Sequence, residues 1–569
     1  MRKENKAEFI VGAALLLLTH ILSPVQAQVL PSLPLPPLHP APPVLPPTPA
    51  PPPLAPVPTP PAVPESREFP TLKVLVKDIE LRGNTVYTTD QLQEVTAPYT
   101  NRELTTEDIE ALRLALTLYY LNRGYVTSGA VVPDQDLANQ ILVIQIIEGR
   151  LAKIDVEGNY WFRSSYIRSR VERGAGPPLN VQPLQEQLQM LQLDPRFERL
   201  NATLQPGLAL GESNLNLRVT ESNPFKVRVE FNNFQSPTVG AEQGLVTVED
   251  QNVTGFGDSL SVQYGRSSGV NPILNVRYAI PIHPSDTTLS LQYRRFTFVV
   301  QQEPFKALDI ENRAEIFSVG LRQPVYRSLQ HEFAVTLTGE HEVNKSFLLG
   351  EPFEFVAGAT NGVFRVSAAR FGQEYTYRTE RQVLTLLSRL SLGMGDVFNS
   401  SSSSSVAGSA DGRFFAWLGE AQYVRQLETL RTQLVSRVTG QLTPDHLFPL
   451  EQMSVGGRYS VRGYREYALV RDNAVIASLE ARVPIYANAA GRDVLFLAPF
   501  VDYGRAWNSQ VPTPDPRTLA SVGGGVIWNI PWKDSRFELY YGKQLKRLKL
   551  GDDNLQDYGI HLQLVIQAF

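Results

Sequence analysis

Apolar and polar residues alternate along the whole C-terminal part of the chain. From about Phe225 onwards, alternating segments such as FKVRVEF, SLSVQYG, TQLVSRVTGQL and AVIASLEARVPI recur between clusters of Gly, Asn, Asp and Ser. Such alternation predicts strands with one apolar and one polar face. The serine run at 400–405 predicts an exposed loop between two of these strands.

The length of this region separates two all-β architectures. A soluble β-sandwich shows the same alternation, but the region spans roughly 345 residues, which is too long for one sandwich. Transmembrane barrels use antiparallel strands of about ten residues, and bacterial barrels have an even strand number. At about 21 residues per strand and connection, residues 223–569 predict a membrane β-barrel of about 16 antiparallel strands. A closed barrel also satisfies every backbone hydrogen bond within lipid.

An internal repeat precedes the alternating region. DIELRGNTVYT at 78–88 corresponds to KIDVEGNYWFR at 153–163, and in each copy helical periodicity and then two strands follow. In the first copy Thr105 and Asp108 predict a capping box and Gly124 a helix end, whereas in the second Pro183 suits the first turn of a helix. Both copies have the order β-α-α-β-β over about 75 residues. They predict two α+β modules, at 70–149 and 150–222.

The first 69 residues predict no packed domain. Basic residues at positions 2, 3 and 6 precede an apolar run and a small-residue site ending at Ala27, which predicts a secretory signal peptide at 1–27. An uncleaved anchor helix is the alternative, although the run is short for a full span. Residues 28–69 are proline-rich and predict an extended linker, with a ligand for an SH3-like domain as the alternative.

Composition narrows the class of function. The net charge of −4 gives no electrostatic reason to expect nucleic acid. The absence of cysteine excludes disulfides, thiolate metal sites and cysteine nucleophiles. The glycines at 523–525 are not followed by a helix, so they do not predict a phosphate-binding loop.

One esterase-like motif needs a separate explanation. GDSL at 257–260 spells the nucleophile block of a lipase–esterase family, but Ser259 begins an alternating strand. None of the seven histidines stands three residues after an aspartate, so the usual general base is missing. We therefore expect no catalytic residues, no metal and no cofactor.

A polar stretch in the barrel region interrupts the alternation. SVGGRYSVRGYREYAL at 454–469 lies between two alternating segments and belongs to a long connection, and FVDYG follows at 500–504. Asp502 faces opposite to its neighbours on that strand, which can be towards the lumen. A bidentate pair of Arg462 with Asp502 would hold the connection inside the barrel. From the residues alone, a surface loop with an unpaired arginine is an equal alternative.

VRGY and FVDYG resemble the signature pair of the outer-membrane protein-transport superfamily, which includes assembly insertases and two-partner secretion transporters. The resemblance implies that the arginine of a loop folded into the barrel contacts the aspartate of a later strand. The matching positions are Val461, Arg462, Gly463, Tyr464, Phe500, Asp502 and Gly504.

The resemblance extends to other segments. GYVTSGAVVPDQDL at 124–137 is similar to the first polypeptide-transport-associated (POTRA) module of the secretion transporters, and NVTGFGDSLSVQYG at 252–265 to their first barrel hairpin. Two modules, rather than the five typical of bacterial insertases, favour the secretion branch (TpsB type). The chain departs from that family in two ways. The proline-rich segment occupies the place of an N-terminal plug helix, and Phe569 falls outside the apolar phase of the last strand.

The resemblance implies an outer-membrane transporter that binds an unfolded exoprotein passenger (TpsA-like) through periplasmic POTRA modules and exports it through the barrel. Sheet edges can accept an added strand, and the candidate edges run from Val126 to Val132 and from Phe197 to Leu204. Outer-membrane lipids and the barrel assembly machinery are further expected partners, whereas nucleic acid is not. An insertase for other barrels is the main alternative, and a passive porin is a third.

Overall fold

The computed structural model describes residues 73–568 apart from 357–358, 396, 402–408, 429–430, 533–534 and 549–553. The expected signal peptide and proline-rich linker lie outside the described residues, as do Phe569 and most of the serine run. The described chain divides into two compact units. One runs to Pro224 and takes in Thr254–Gly257, and the other comprises the rest from Phe225 onwards.

The first module of the N-terminal unit contains five strands and two α-helices. They are β1 (Val74–Val76), β2 (Asp78–Arg82), α1 (Thr89–Thr96), β3 (Arg102–Leu104), α2 (Thr106–Leu121), β4 (Gly129–Val131) and β5 (Ile141–Ile147), with a 3₁₀ turn at Ala97–Tyr99. The main sheet has the order β2-β5-β4, and β1 pairs with β3. The capping box at Thr105 is present, since its side chain accepts from the Asp108 N–H at 3.1 Å. The three-residue strands β1 and β3 were not predicted, because they are too short to show periodicity.

The second module has the predicted order β-α-α-β-β. Its elements are β6 (Arg150–Glu157), α3 (Ser164–Glu172), α4 (Val181–Gln192), β7 (Phe197–Pro206) and β8 (Glu212–Glu221). The sheet order is β6-β8-β7. Leu184, Leu188 and Leu191 of α4 recur at helical spacing and are buried against the sheet. They provide the apolar face that holds α4 in place.

The same turn follows the first strand of each module's main sheet. Gly83 and Gly158 have φ of 84° and 81°, and a Cβ on either would lie 2.5 Å from a carbonyl oxygen of the last strand. A glutamate at the end of that strand accepts backbone N–H groups of the turn. Glu148 accepts from two of them in the first module, and Glu221 from three in the second. The repeat in sequence is therefore also a repeat in hydrogen bonding.

The C-terminal unit is a closed antiparallel barrel of sixteen strands, as predicted. The strands are β9 (Phe225–Asn232), β10 (Gln243–Asp250), β11 (Ser259–Ser267), β12 (Val270–Pro281), β13 (Thr288–Val299), β14 (Glu311–Arg327), β15 (His331–Leu348), β16 (Val363–Arg378), β17 (Gln382–Gly393), β18 (Phe415–Gln426), β19 (Gln433–Leu442), β20 (Asn473–Ala487), β21 (Asp493–Leu497 continued as Phe500–Trp507), β22 (Thr518–Ile530), β23 (Ser535–Gln544) and β24 (Ile560–Gln567). Both segments of β21 pair with β20 and β22, so they act as one strand. The barrel closes where β24 pairs with β9, from Gln563↔Asn232 to Gln567↔Arg228.

Side chains alternate between the two faces of the barrel wall. In β21 the outward residues Val501 and Tyr503 are 46% and 44% exposed, whereas Asp502 between them is fully buried. In β24 His561 is also fully buried, whereas its neighbours Ile560 and Leu562 are only partly buried. An apolar outer face suits lipid contact. Among the described residues, no helix has the length and apolar character that crossing a bilayer would demand.

Candidate functional site

The connection between β19 and β20, residues 443–472, folds back inside the barrel. A short hairpin of Met453–Val455 with Leu469–Arg471 forms its stem, and the residues between them form its tip. Arg462 at this tip is only 3% exposed, and Val461 and Tyr464 are buried as well. We call residues 443–472 the inward loop.

Asp502 binds the tip of the inward loop through Arg462. The guanidinium donates from Nε and Nη2 to the two carboxylate oxygens, each at 2.8 Å, and the Arg462 backbone N–H donates to Oδ2 at 3.0 Å. Ser478 donates to Oδ1 at 2.7 Å, and Arg462 Nη1 donates to Glu480. Removing two charges from water costs several kcal/mol for each ion. Bidentate geometry and the additional hydrogen bonds offset this cost.

The other motif residues of β21 pack around this pair. The guanidinium carbon of Arg462 lies 3.6 Å from the ring centroid of Phe500, which is a cation–π distance. A Cβ on Gly504 would lie 2.4 Å from Val455 and 2.8 Å from Val461, so glycine leaves space for the apolar part of the loop. Three successive inward positions of β21 therefore contact the loop.

Gly463 and Tyr464 join the tip to the last three strands. Gly463 has φ of 90°, and a Cβ there would lie 2.5 Å from the carbonyl oxygen of Gly542 in β23. Its N–H donates to Nε2 of His561 in β24 at 3.1 Å. The Tyr464 hydroxyl lies 3.0 Å from the carbonyl oxygen of Ala520 in β22. All seven motif residues thus meet at one place in the structure.

Two partners of Arg462 were missed in the sequence. Ser478 and Glu480 lie on β20, at the positions directly opposite Asp502 and Phe500 of β21. Leu479 between them is 44% exposed and points outward. The segment SLE therefore carried the signal, because its polar residues fall in the inward phase of an alternating strand.

Two further ion pairs of the tip were also not predicted. Arg458 donates to Glu538 of β23 and lies 4.0 Å above the Tyr540 ring. Arg465 donates from Nε and Nη2 to Asp557 at 2.5 and 2.6 Å. These partners are 80 and 92 residues apart in the chain. No local spacing rule could have paired them.

The segment that carries Asp557 also contacts the residues that directly follow the first barrel strand, β9. Gln556 donates to the carbonyl oxygens of Asn233 and Gln235 at 2.5 and 2.7 Å, and accepts from the Glu466 N–H of the inward loop at 2.8 Å. The Asn233 side chain adds two hydrogen bonds to the backbone of β24. A continuous set of hydrogen bonds thus joins the loop tip to the seam between β9 and β24.

One acidic cluster in the lumen has metal-like spacing. Ligand atoms of Glu340, Glu342 and Glu451 lie within 4.8 Å of one another. Arg370 donates to Glu340 and to Glu451, each at 2.7 Å. Its guanidinium supplies the positive charge that a cation would bring, so the donor set does not fit a metal ion well.

The structure places the predicted edge segments at sheet edges, with differences in detail. The first edge strand, β4, contains only Gly129–Val131, so Val126 lies in the preceding turn and Val132 follows the strand. In the second module β7 is the outermost strand of its sheet and includes both Phe197 and Leu204. The Phe197 side chain is buried in the module core. At the β7 edge the backbone, rather than the Phe197 side chain, is therefore available to an added strand.

Comparison with known proteins gives the family. The profile described as haemolysin secretion/activation protein ShlB/FhaC/HecB matches residues 211–527, and that of the ShlB-type POTRA domain matches residues 74–149. The outer membrane transporter CdiB of Dickeya dadantii (strain 3937) is 23% identical over 459 residues, which is 79% of either chain. The heme/hemopexin transporter protein HuxB of Haemophilus influenzae (strain 86-028NP) is 21% identical over 480 residues, 81% of either chain.

Solved structures show the same fold. CdiB from Escherichia coli is similar with a TM-score of 0.65 at 21% identity, over 89% of this chain and 92% of that one. BamA from Haemophilus ducreyi lacking POTRA domains 1–3 gives 0.51 at 14% identity, over 87% of this chain and all of that one. Because the first profile covers more than half of the sequence, the chain belongs to the haemolysin secretion/activation protein family ShlB/FhaC/HecB, whose members are outer-membrane transporters with periplasmic POTRA modules.

Proposed function

We propose that this transporter binds an unfolded exoprotein through its POTRA modules and exports it through its barrel, without catalysing a chemical reaction. The observation that carries the proposal is the combination of two modules with free sheet edges and a closed barrel whose lumen contains the inward loop. A pore for small solutes has no need of polypeptide-binding modules. Folding of the passenger outside the cell would drive export.

The edge of the second module is the better candidate for passenger binding. β7 is ten residues long and pairs with β8 alone among the described strands, whereas β4 of the first module has three residues. An edge strand presents unpaired N–H and C=O groups along its length. A longer edge offers more of these groups to an added strand, and every second backbone group faces outward.

Proline substitutions along β7 test this role. Asn201→Pro, Ala202→Pro and Thr203→Pro sample successive residues, so some remove an outward N–H and others break the pairing with β8. We expect the outward substitutions to weaken binding of the denatured passenger to the full-length protein while the module stays folded. Lys153→Pro on β6, the opposite edge, is the matched control. Unchanged binding in every folded variant would refute the role of β7.

We further propose that the inward loop seals the resting barrel and that the Arg462–Asp502 pair keeps it in place. The pair joins the loop to β21, while Arg458 and Arg465 join it to β23 and to the segment before β24. Export through the lumen requires the loop to move. The pair would therefore set how readily the barrel opens.

Depletion of the protein separates secretion from barrel insertion. The secreted and surface proteins and the total of unrelated outer-membrane barrels are quantified in the same cells. We expect one or two large exoproteins to disappear from the outside while the other barrels stay constant. A general fall in outer-membrane barrels would instead identify an insertase.

A further inference from the structure

Two cavities in the barrel lumen differ in charge. The lower cavity, of about 500 Å³, lies towards the barrel end at which β9 begins and is lined by seven arginines and three glutamates. The upper cavity, of about 490 Å³, lies beside the stem of the inward loop and is lined by three arginines and six glutamates. The lumen is therefore positive at one end and negative at the other. Alternation along the strands predicts polar lumen residues but not this separation of charge.

Neighbouring carboxylates do not neutralise the lower cavity. Glu480 is shared by two of its arginines, Arg462 and Arg482, and Glu538 is likewise shared by two. Just outside the lining, Asp502 is a second carboxylate partner of Arg462, and Glu340 binds Arg294 but is shared with Arg370. Within the part of the chain that the structure describes, Arg228 and Arg437 have no carboxylate within 4 Å. With Glu230 of the lining included, seven arginines face five carboxylates, one of them shared with Arg370, so the cavity keeps an excess of at least two positive charges.

Several hydrogen-bond donors in this lining have no acceptor. The Nε atoms of Arg294, Arg437, Arg458 and Arg536 are buried, and among the described residues none has a hydrogen-bond partner. Arg458 is 9% exposed, so its guanidinium is nine-tenths buried. Buried polar atoms in folded proteins are nearly always paired. Each of these four guanidinium groups therefore keeps one donor unsatisfied, which adds to the positive potential of the lining.

We propose that the lower cavity is a binding site for small oxyanions, in which Arg437 and Arg228 provide the uncompensated charge. Guanidinium groups present planar pairs of donors that match the oxygens of phosphate and carboxylate. The cavity volume lies within the range of ordinary ligand pockets. A site of this kind would make the lower lumen selective for anions, whether or not a passenger is being exported.

Equilibrium dialysis of the full-length protein in detergent against labelled inorganic phosphate tests the site in the resting barrel, in which the inward loop contributes Arg458 and Arg462 to the lining. We expect saturable binding, weakened at least about tenfold by Arg437→Gln and less by Arg437→Lys, which keeps the charge but loses the planar fork. Arg425→Gln is the matched control, because Arg425 is exposed on the neighbouring strand. Competition by succinate would show that carboxylates share the site, and its absence would restrict the ligand to phosphate.

The ion selectivity of the pore is a second measure of the positive charge in the lower cavity. In planar bilayers under a potassium chloride gradient, the reversal potential should show preference for chloride, and Arg437→Gln should reduce the chloride-to-potassium permeability ratio while Arg425→Gln leaves it unchanged. No saturable phosphate binding, or equal binding in wild type and folded Arg437→Gln, would overturn the proposal. Preference for potassium in an open wild-type pore would also overturn it.

Discussion

Asparagine in place of Asp502 should release the inward loop from the barrel wall. The carboxylate accepts three hydrogen bonds from Arg462 and one from Ser478. An asparagine of the same shape keeps one oxygen but points an NH₂ group at the guanidinium donors. Of its two carboxylate partners, Arg462 then retains Glu480 alone, which is also paired with Arg482.

The expected magnitude follows from the burial of the pair. Arg462 is 3% exposed and Asp502 is fully buried. Removing one partner of a buried ion pair costs about 3–5 kcal/mol, because the remaining charge stays desolvated. At 1.4 kcal/mol for each factor of ten, the undocked population of the loop should rise at least about 100-fold.

Thiol labelling can measure this population. The chain has no cysteine, so Val461→Cys places one thiol at a fully buried tip position without any background. Cysteine behaves as a small apolar residue when buried. If the loop opens and closes faster than the maleimide reacts, the labelling rate follows the open population. We therefore expect Asp502→Asn to accelerate labelling at least about 100-fold.

The control and the refuting result are both specific. Asp515→Asn makes the same chemical change at a carboxylate whose side chain is 88% exposed, and labelling should change less than threefold, by about 0.5 kcal/mol or less. Combining Asp502→Asn with Arg462→Gln should recover part of the loss, because neither charge is then left unpaired. Equal labelling of wild type and Asp502→Asn, with both barrels folded, would refute the view that this pair holds the loop.

Two further predictions concern other parts of the chain. Gly463→Ala should also undock the loop, because its Cβ would meet the Gly542 carbonyl at 2.5 Å, whereas Gly491→Ala, which also has positive φ but nothing within 4 Å, should cost only about 1 kcal/mol. Thiol labelling compares the two, and equal effects would exclude the backbone contact as the cause. In the first module, burial alone would raise the pKa of Glu148, but hydrogen bonds from the Thr85 side chain and from the backbone of Val86 and Thr85 outweigh it and lower the pKa. The ionised group thus stabilises the module above its unfolded-state pKa of about 4.3, and this contribution is lost as the pH falls through the lower folded-state pKa. Glu148→Gln should therefore destabilise the module near neutral pH and match wild type in acid. Hydrogen exchange of β5 measures this, with Glu80→Gln as the exposed control, and a loss that persists in acid would contradict the reasoning.

The number of barrel strands and the direction in which their side chains point could be predicted from the sequence, because the two faces of a barrel wall contact different surroundings. Lipid on one side and a polar lumen on the other impose a period of two on every strand, so Val501, Asp502 and Tyr503 could be assigned to faces without coordinates. In α4 the regular spacing of Leu184, Leu188 and Leu191 instead follows the helical period of about 3.6, because one face of that helix packs on a sheet. Periodicity could not give the short strands β1 and β3, which contain three residues each.

For the inward loop, the periodicity of the sequence does not predict which residues form ion pairs. A resemblance related Arg462 to Asp502, but Arg458–Glu538 and Arg465–Asp557 join residues far apart in the chain, and no pattern relates them. Their pairing depends on which strands face one another across the closed barrel. Glu480 is intermediate, since alternation places it in the lumen but does not say which arginine it meets.

The hydrogen bonds of Gln556 connect the position of the inward loop with the closure of the barrel between β9 and β24. The same side chain accepts from the Glu466 N–H of the inward loop and donates to Asn233 and Gln235 beyond the end of β9. Withdrawal of the loop tip removes the first of these bonds, while five residue pairs and the hydrogen bonds of Asn233 hold β24 to β9 along the seam. Release of the loop and loosening of the seam therefore both involve Gln556. A transporter that moves this loop must either keep Gln556 on Asn233 or weaken the closure of its own barrel.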